Sequence, residues 1–214
     1  TLTGWYPGRG RIELTLAGPR IERVTRTARD PDVSVEEIDG EILLPGMFDI
    51  QVNGYAGVDF NDEALTADGV AHVIDGMASQ GVTAICPAII TGPSSRMQRS
   101  LRVIAEACRA DERVSQAIVG AHIEGPWISA QEGARGAHPV EHIRPPSVEE
   151  FRTFASLASI AIVTVAAEVA GIGELIRYAS HGGTLVSLGH SAAPPEDISS
   201  AVACGATMST HLGN

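Results

Sequence analysis

The sequence predicts an α/β fold built around a parallel sheet. From Pro45 onward, apolar runs of strand length alternate with segments of helical periodicity. The strand runs are continuously apolar, as expected where helices cover both faces of a sheet. The 214 residues are 44% hydrophobic, which is enough to bury a sizeable core. Strict alternation of strands and helices gives either an open doubly wound sheet or a (β/α)8 barrel.

Residues 1–44 follow a different pattern and predict a small β unit. "RIELTL" and "IERVTRT" read as short strands on either side of a turn at "AGPR", and "EILL" closes the segment after an acidic loop. Because the character of the sequence changes near Pro45, we expect two domains, a β unit over residues 1–44 and an α/β domain over residues 45–214.

The α/β domain contains six predicted strands and five predicted helices. The strands are "GMFDIQV", "VTAICPAII", "SQAIVGAHIE", "IAIVTVAAE", "TLVSLGH" and "ATMSTH". The helices are "TADGVAHVIDGMASQG", "SSRMQRSLRVIAEACRA", "SVEEFRTFASLA", "GIGELIRYASHG" and "PEDISSAVACG". Thr66 is the predicted N-cap of the first helix, and Gly81, Gly182 and Gly205 follow predicted C-termini. Six strands would complete an open sheet, whereas an eight-stranded barrel needs two more β/α units than this sequence supplies.

The charge and hydropathy of the chain argue against two classes of partner. The formal net charge is −11 and the isoelectric point is near 5.0, whereas nucleic acid is bound by clustered cations. The apolar runs contain charges or end too soon for a membrane span, and the first residues lack the apolar stretch of a signal peptide. We therefore expect a cytoplasmic protein that acts on a small molecule and binds neither nucleic acid nor membrane.

Rare and missing residue types exclude several chemistries. The three cysteines, Cys86, Cys108 and Cys204, are odd in number and lack CxxC spacing, so we expect neither a disulfide framework nor a cysteine zinc site. All fifteen basic residues are arginine. The sequence therefore offers no lysine for a Schiff base, for a Walker-type phosphate loop or for a carbamylated bridge between two metals.

Polar side chains gather at the C-terminal ends of the predicted strands, the edge at which (β/α)8 barrels build active sites. These residues are Asp49, Gln51, Asn53, His122, Glu124, Glu168, His190 and His211. Glu124, His190 and His211 supply one carboxylate and two imidazoles, a donor set that suits a divalent transition metal. We expect them to bind one ion, with Zn²⁺ favoured and Fe²⁺, Mn²⁺ and Co²⁺ as alternatives. His122 shares a strand face with Glu124, and either a ligand-orienting or a structural role is open to it.

Four stretches carry a resemblance to a known family. "LPGMFDIQVNGYAGVDFND", "GAHIEGPWISAQEGARGAHP", "LVSLGHSAA" and "STHLGN" together resemble the N-acetylglucosamine-6-phosphate deacetylases of the metal-dependent amidohydrolase superfamily, from about Pro45 to the end. The resemblance implies a (β/α)8 TIM-like amidohydrolase barrel, of which about six β/α strands are present, flanked by a small β-sandwich unit over residues 1–44. It implies that the remainder of the barrel lies beyond this sequence.

The resemblance also implies an activity and a set of site residues. The family hydrolyses the N-acetyl amide of N-acetylglucosamine 6-phosphate to glucosamine 6-phosphate and acetate, using a metal-activated water, and commonly forms homodimers. The family's metal ligands match Glu124, His190 and His211. His138 in "RGAHP" and Asn214 match positions that contact the sugar-phosphate substrate. The family's general acid/base is an Asp at the end of the eighth strand, which would lie beyond Asn214, so the catalytic residue of this chain is unknown.

Departures from the family pattern keep alternatives open. Gln51 and Asn53 occupy the HxH positions at which many amidohydrolases hold a second metal. Amides are poor ligands beside imidazole, so we expect a single-metal site, with Gln51 and Asn53 as second-metal positions or as residues that orient the ligands. Gly213 replaces the aromatic residue that usually precedes Asn214, which leaves another acyl or cyclic amide open as the substrate. A non-catalytic barrel that binds metal or sugar phosphate is the alternative from a different class.

Overall fold

The computed structural model describes residues 1–26 and 42–213, and the chain divides into two compact units, 1–46 and 47–214. The first unit is an antiparallel sheet whose strands, in spatial order, are β1 (Leu2–Tyr6), β2 (Gly10–Ala17) and β3 (Arg20–Arg26). β2 and β3 confirm the two strands predicted around the "AGPR" turn. β1 is not predicted, because Gly4 inside it and Pro7 after it read as loop residues.

The predicted strand "EILL" is wrong where it is described. Ile42 makes only an isolated bridge with Trp5, and the amide of Leu43 donates to the carbonyl of Trp5 at 2.8 Å. A single bridge leaves most of this segment outside the ladder of the sheet. Glu41, the first residue of the predicted strand, lies outside the described residues.

The second unit contains six parallel strands in unbroken sequence order. They are β4 (Met47–Val52), β7 (Val82–Ile90), β8 (Ala121–Glu124), β9 (Ile160–Val165), β10 (Leu185–Leu188) and β11 (Met208–Ser209); a short hairpin, β5 (Gly54–Tyr55) and β6 (Val58–Asp59), follows β4. A doubly wound sheet reverses its strand order at a switch point. The order observed here has no reversal, so the sheet winds in one direction, as a barrel does.

Contacts across the sheet show that it curls. β4 and β11 lie at opposite ends of the strand order, yet the Thr210 hydroxyl, just after β11, donates to Oε1 of Gln51 in β4 at 3.3 Å. His122 in β8 also reaches across the concave face, because its Nδ1 lies 3.0 Å from the carbonyl oxygen of Ile50 in β4, beyond the intervening β7. The C-terminal ends of all six strands are therefore gathered around a common centre.

The connecting helices follow the predicted alternation with one addition. They are α1 (Ala67–Ala78), α2 (Ser94–Ala110), α3 (Glu112–Ala117), α4 (Val148–Leu157), α5 (Ile172–His181) and α6 (Pro195–Cys204). The N-cap prediction for Thr66 is confirmed, since its Oγ1 accepts from the amide of Gly69 at 3.1 Å. The third predicted strand, "SQAIVGAHIE", is wrong in its first part. The side chain of Asp111 accepts a hydrogen bond from the amide of Arg113 and so forms the N-cap of α3. Because α3 includes the first residues of the predicted strand, only the last four residues of that segment form a strand.

The core lies between the sheet and its helices. Ile89 in β7 and Val163 in β9 are fully buried, and α1 presents a buried stripe at helical spacing that includes Val70, Val73 and Met77. Burying each such side chain contributes roughly 1.5–3 kcal/mol. Within the described ranges, no helix combines the length and the apolar character required to cross a membrane.

A polar clamp fixes the C-terminal end of β7. The side chain of Asn61 extends the strand's hydrogen bonding, since its Nδ2 donates to the carbonyl of Ala88 and its Oδ1 accepts from the amide of Ile90, both at 2.9 Å. Arg96 donates to the carbonyl oxygens of Ile90 at 2.9 Å and of Thr91 at 3.0 Å. These bonds hold Thr91, the first residue after β7, in a defined place at the sheet edge.

An ion pair ties the loop after β8 to α4. Arg144 donates from Nε to Oε2 of Glu150 at 2.9 Å and from Nη2 to Oε1 at 2.7 Å, and its Nη1 also reaches the carbonyl of Gly92 at 3.0 Å. Burial alone would raise the pKa of the Glu150 carboxyl, but hydrogen bonds led by Arg144 outweigh it and lower that pKa below its usual 4.5. The bidentate pair therefore stabilises the fold with Glu150 ionised.

We predict that Glu150→Gln lowers the free energy of unfolding by about 1–2 kcal/mol at pH 7, because one charge-assisted pair is lost. A carboxyl whose folded-state pKa is depressed stabilises the fold above the unfolded-state pKa, and this contribution disappears as the pH falls through the folded-state value. The difference between wild type and variant, measured by denaturant unfolding, should therefore shrink below pH 4.5. Glu149→Gln, at an exposed neighbour, is the control. A difference that stays constant down to pH 3 would contradict the prediction.

Candidate metal and substrate site

Four candidate residues meet at the C-terminal edge of the curled sheet. Glu124 is the last residue of β8, His190 follows β10 by two residues, His211 follows β11 by two, and His138 lies in the loop after β8. Glu124 is 3% exposed and His138 is 5% exposed. Parallel strands end at one edge, which is why residues up to 87 positions apart in sequence lie in contact here.

One oxygen of Glu124 is the centre of this cluster. Oε1 lies 3.0 Å from Nε2 of His211, 3.1 Å from Nε2 of His190 and 2.9 Å from Nε2 of Gln51. The structure thus brings together the three residues predicted as metal ligands, on a single carboxylate oxygen. The third contact, from Nε2 of Gln51, orients the carboxylate through a side-chain amide.

His138 belongs to the same cluster. Its Nε2 lies 3.2 Å from Nε2 of His190 and 3.9 Å from Oε2 of Glu124. Glu124, His138 and His190 each offer one ligand atom, and these atoms all lie within 4.8 Å of one another. Two candidate ligand sets therefore share Glu124 and His190, and they differ in whether His211 or His138 is the third donor.

Both strand-end histidines adopt left-handed backbone conformations. φ is 51° at His190 and 54° at His211, a region that costs a side chain other than glycine about 1–2 kcal/mol. These conformations turn each imidazole back towards Glu124 instead of continuing the strand direction. Strain of this kind is concentrated at functional sites, where the surrounding structure holds it in place.

Glu124 and His190 stabilise each other's charged forms. Its Nδ1 faces the carbonyl oxygen of Ala134 at 3.3 Å, while its Nε2 faces Oε1 of Glu124. The hydrogen bond to Glu124 raises the pKa of His190. Burial would raise the pKa of Glu124, but His190 and His211 lower it to about 2. The carboxylate therefore favours positive charge among the imidazole nitrogens, and a proton or a divalent metal can supply it.

His138 presents an unprotonated nitrogen to the cluster. Its Nδ1 lies 2.9 Å from Oγ1 of Thr91, and the Thr91 hydroxyl in turn faces the carbonyl of Glu124 at 3.3 Å. With its hydrogen directed to that carbonyl, the hydroxyl accepts from Nδ1–H of His138, which leaves the lone pair on Nε2. Burial, followed by the nearby His190, lowers the pKa of His138 to about 4. The ring is therefore neutral, which is the form in which histidine binds metals.

Thr91 was absent from the sequence-based set of site residues, although the rule that selected the others also selects it. It is the first polar residue after the apolar run "VTAICPAII", and it is 1% exposed. Gly125 makes room for it, because a Cβ on Gly125 would collide with Oγ1 of Thr91. The glycine of the "HIEGP" stretch is thus explained by close packing beside the site.

The structure places His122, Gln51 and Asn53 in different surroundings. Both ring nitrogens of His122 are engaged, by the carbonyl of Ile50 and by Oγ1 of Thr164 at 2.7 Å, so of its two open roles the geometry favours the structural one. Gln51 contacts Glu124, as described above, whereas Asn53 is exposed. Asn214, predicted to contact substrate, lies outside the described residues.

A cleft of about 580 Å³ opens beside the two strand-end histidines. It is lined by the loop after β8 and by the segments that follow β10 and β11, including Gly133, Ala134, Gly136, His190, Ser191, His211, Leu212 and Gly213. The volume suits a small-molecule ligand, and the lining presents backbone groups and imidazoles.

Comparison with characterised proteins places this site in context. No family model matches the chain. It is 38% identical over 212 residues to the N-acetylglucosamine-6-phosphate deacetylases of Bos taurus and Homo sapiens, covering 95% of this chain and 51% of each relative. It is 33% identical over 184 residues to an N-acetylgalactosamine-6-phosphate deacetylase of Escherichia coli O157:H7. The chain therefore spans about half the length of the curated relatives it matches.

Solved structures give the same result. The N-acetyl-D-glucosamine-6-phosphate deacetylase of Mycobacterium smegmatis superposes with a TM-score of 0.79 at 26% identity, over 96% of this chain and 56% of that one. A mutant of the same enzyme in complex with N-acetyl-D-glucosamine-6-phosphate superposes with a TM-score of 0.80 at 25% identity, over 99% of this chain and 55% of that one.

We predict that Thr91→Val, which preserves shape and removes the hydroxyl, changes the protonation of the His138 ring. Without an acceptor at Nδ1, the proton should redistribute towards Nε2, and stability should fall by about 1–2 kcal/mol. The ¹⁵N chemical shifts of the His138 ring report the tautomer directly. Thr91→Ser, which keeps the hydroxyl, should retain the wild-type shifts. Identical His138 shifts in wild type and Thr91→Val would refute the assignment.

Proposed function

We infer that this chain, a homologue of the N-terminal half of the N-acetylglucosamine-6-phosphate deacetylases, supplies the metal-binding part of an active site that hydrolyses the N-acetyl amide of an amino-sugar 6-phosphate. The observation that carries this proposal is the convergence of Glu124, His190 and His211 on one buried point at the strand ends. The products of the proposed reaction are glucosamine 6-phosphate and acetate.

The donor set at Glu124 fits a single divalent metal. Imidazole nitrogens combined with a carboxylate oxygen suit Zn²⁺, and they also accept Fe²⁺, Mn²⁺ or Co²⁺. We propose Glu124, His190 and His211 as the protein ligands. Gln51 supports a single-metal site, because its amide hydrogen bonds to Glu124 and to Thr210 and so orients the carboxylate. Asn53, the other second-metal position, is exposed.

The roles of the remaining residues follow from their positions. The chemistry that a divalent ion supplies at such a site is the activation of water and the polarisation of an amide carbonyl. His138, buried beside His190, is proposed to contact the substrate through Nε2, whose lone pair can accept a hydrogen bond from a sugar hydroxyl. Glu168 uses both carboxylate oxygens to accept hydrogen bonds from Ser191 and Ala192, so it is a poor candidate for transferring a proton. We therefore keep the Asp expected beyond Asn214 as the general acid/base.

We further propose that the six parallel strands form three quarters of a (β/α)8 barrel and that residues 1–44 belong to a flanking β-sandwich. The unidirectional strand order and the contact between Thr210 and Gln51 support the barrel. The edge strand β4 leaves Met47 56% exposed and Phe48 52% exposed, an apolar edge of the kind that pairing with further strands would bury.

Two amino-sugar phosphates are candidates for the proposed substrate. Relatives named for N-acetylglucosamine 6-phosphate and for N-acetylgalactosamine 6-phosphate both match the chain, at 38% and 33% identity. The two sugars differ only in the configuration of one ring hydroxyl. Gly213 lines the cleft next to Leu212, and this segment is a candidate for contact with the sugar.

We predict that metal titration of the apoprotein saturates near one equivalent and that His190→Ala and His211→Gln lose most of the bound metal. His138→Gln should keep its metal while kcat/KM falls roughly 10- to 100-fold, as expected for loss of one buried hydrogen bond to the substrate. Elemental analysis and steady-state kinetics measure these quantities. If His138→Gln loses metal and His211→Gln retains it, the ligand set is instead Glu124, His138 and His190.

We predict that the full-length natural protein releases acetate from N-acetylglucosamine 6-phosphate with kcat in the ordinary enzymatic range of about 1–10³ s⁻¹. Unphosphorylated N-acetylglucosamine is the control for recognition of the phosphate, and N-acetylgalactosamine 6-phosphate tests the alternative sugar. Free amine and acetate are measured after incubation with added metal. Metal binding without acetate release from any of the three compounds would favour a non-catalytic binding protein.

A further inference from the structure

We propose that Glu168 is a positioning residue that holds the metal-binding conformation of His190. It does so through two hydrogen bonds to the residues that follow His190. The inference rests on the proposed metal site, because it concerns the geometry of one of the proposed ligands. Glu168 lies three residues beyond β9, on a loop adjacent to the one that carries His190.

Both oxygens of the Glu168 carboxylate are directed at the His190 loop. Oε2 accepts from the hydroxyl of Ser191 at 2.5 Å, and Oε1 accepts from the amide of Ala192 at 2.8 Å. The Ser191 oxygen also accepts from the amide of Ala167 at 3.2 Å, so its own hydrogen is free to be donated to Glu168. A carboxylate, which accepts only, is well suited to bind two donors at adjacent positions.

His190, the residue next to these anchored positions, has a backbone conformation that needs support from its surroundings. His190 has a φ of 51°, and its carbonyl oxygen accepts from the amide of Ser129 at 2.9 Å. The Ser129 bond fixes the peptide that follows His190, and the Glu168 bonds fix the next two residues. Gly136 packs against the ring, since a Cβ there would lie 3.3 Å from Cε1 of His190. Support from the loops after β8 and β9 therefore sets the direction in which the imidazole points.

The test compares metal affinity among three variants of the full-length natural protein. Glu168→Ala removes both acceptors and should weaken Co²⁺ binding roughly 10- to 100-fold, as is typical when a group that orients a ligand is removed. Glu168→Gln removes the same charge but keeps an acceptor for the Ala192 amide, so its loss should be clearly smaller than that of Glu168→Ala. Glu196→Ala removes an exposed carboxylate from the helix that follows the loop and should leave affinity within about twofold of wild type.

A second readout is independent of metal. In apoprotein, amide hydrogen exchange at Ala192 should accelerate in Glu168→Ala relative to wild type, because the donor loses its acceptor. Ser191→Ala, which removes the other contact, should weaken Co²⁺ binding in the same direction, and it serves as the probe if Glu168→Ala does not fold. Equal Co²⁺ affinity in wild type, Glu168→Ala and Ser191→Ala would overturn the proposal while leaving the metal site intact. Failure of the wild type itself to bind Co²⁺ would overturn the proposed function.

Discussion

The functional end of this protein depends on one buried carboxylate oxygen. Oε1 of Glu124 is removed from water by the end of the sheet, and an isolated carboxylate in that position would be strongly destabilising. Three nitrogen donors surround it, from three different strands or strand-end loops. The curl of the sheet, the left-handed turns after β10 and β11 and the placement of Gln51 all satisfy this single requirement. Hydrogen-bond donors at this point are thus a condition of the fold.

Two imidazoles of the cluster, those of His138 and His190, are themselves held by groups on other loops. Thr91 contacts Nδ1 of His138, and the carbonyl of Ala134 faces Nδ1 of His190. In each case one ring nitrogen is occupied by an oxygen, which leaves Nε2 to face the cluster. Because these two rings are held at Nδ1, they have little freedom to rearrange when a ligand binds. Such preorganisation limits the entropy lost on binding and favours tight capture.

Sequence periodicity was sufficient to predict the regular part of the fold, and the position of polar residues at strand ends was sufficient to predict that Glu124, His190 and His211 lie close together. The helices show apolar residues with a 3.6-residue period, and the buried strands are continuous apolar runs. Both patterns can be recognised within short windows of the sequence. The helix α3 was not predicted, because its start depends on a single N-cap, the side chain of Asp111, and the residues that follow have the composition of a strand. The position of His138 beside His190 could not be predicted from the sequence, because it depends on how a long loop folds back over the edge of the sheet.

The separation of the clustered residues along the chain links assembly of the site to folding. Glu124 and His211 are 87 residues apart, so an unfolded chain brings them together only rarely, and the site exists once the long-range strand pairing is complete. An ion that binds the folded form and not the unfolded one shifts the folding equilibrium by mass action. If the proposed metal binds at this site, the thermal stability of the protein should vary with the supply of free metal, and scarcity of the metal should lower the fraction of molecules that are folded.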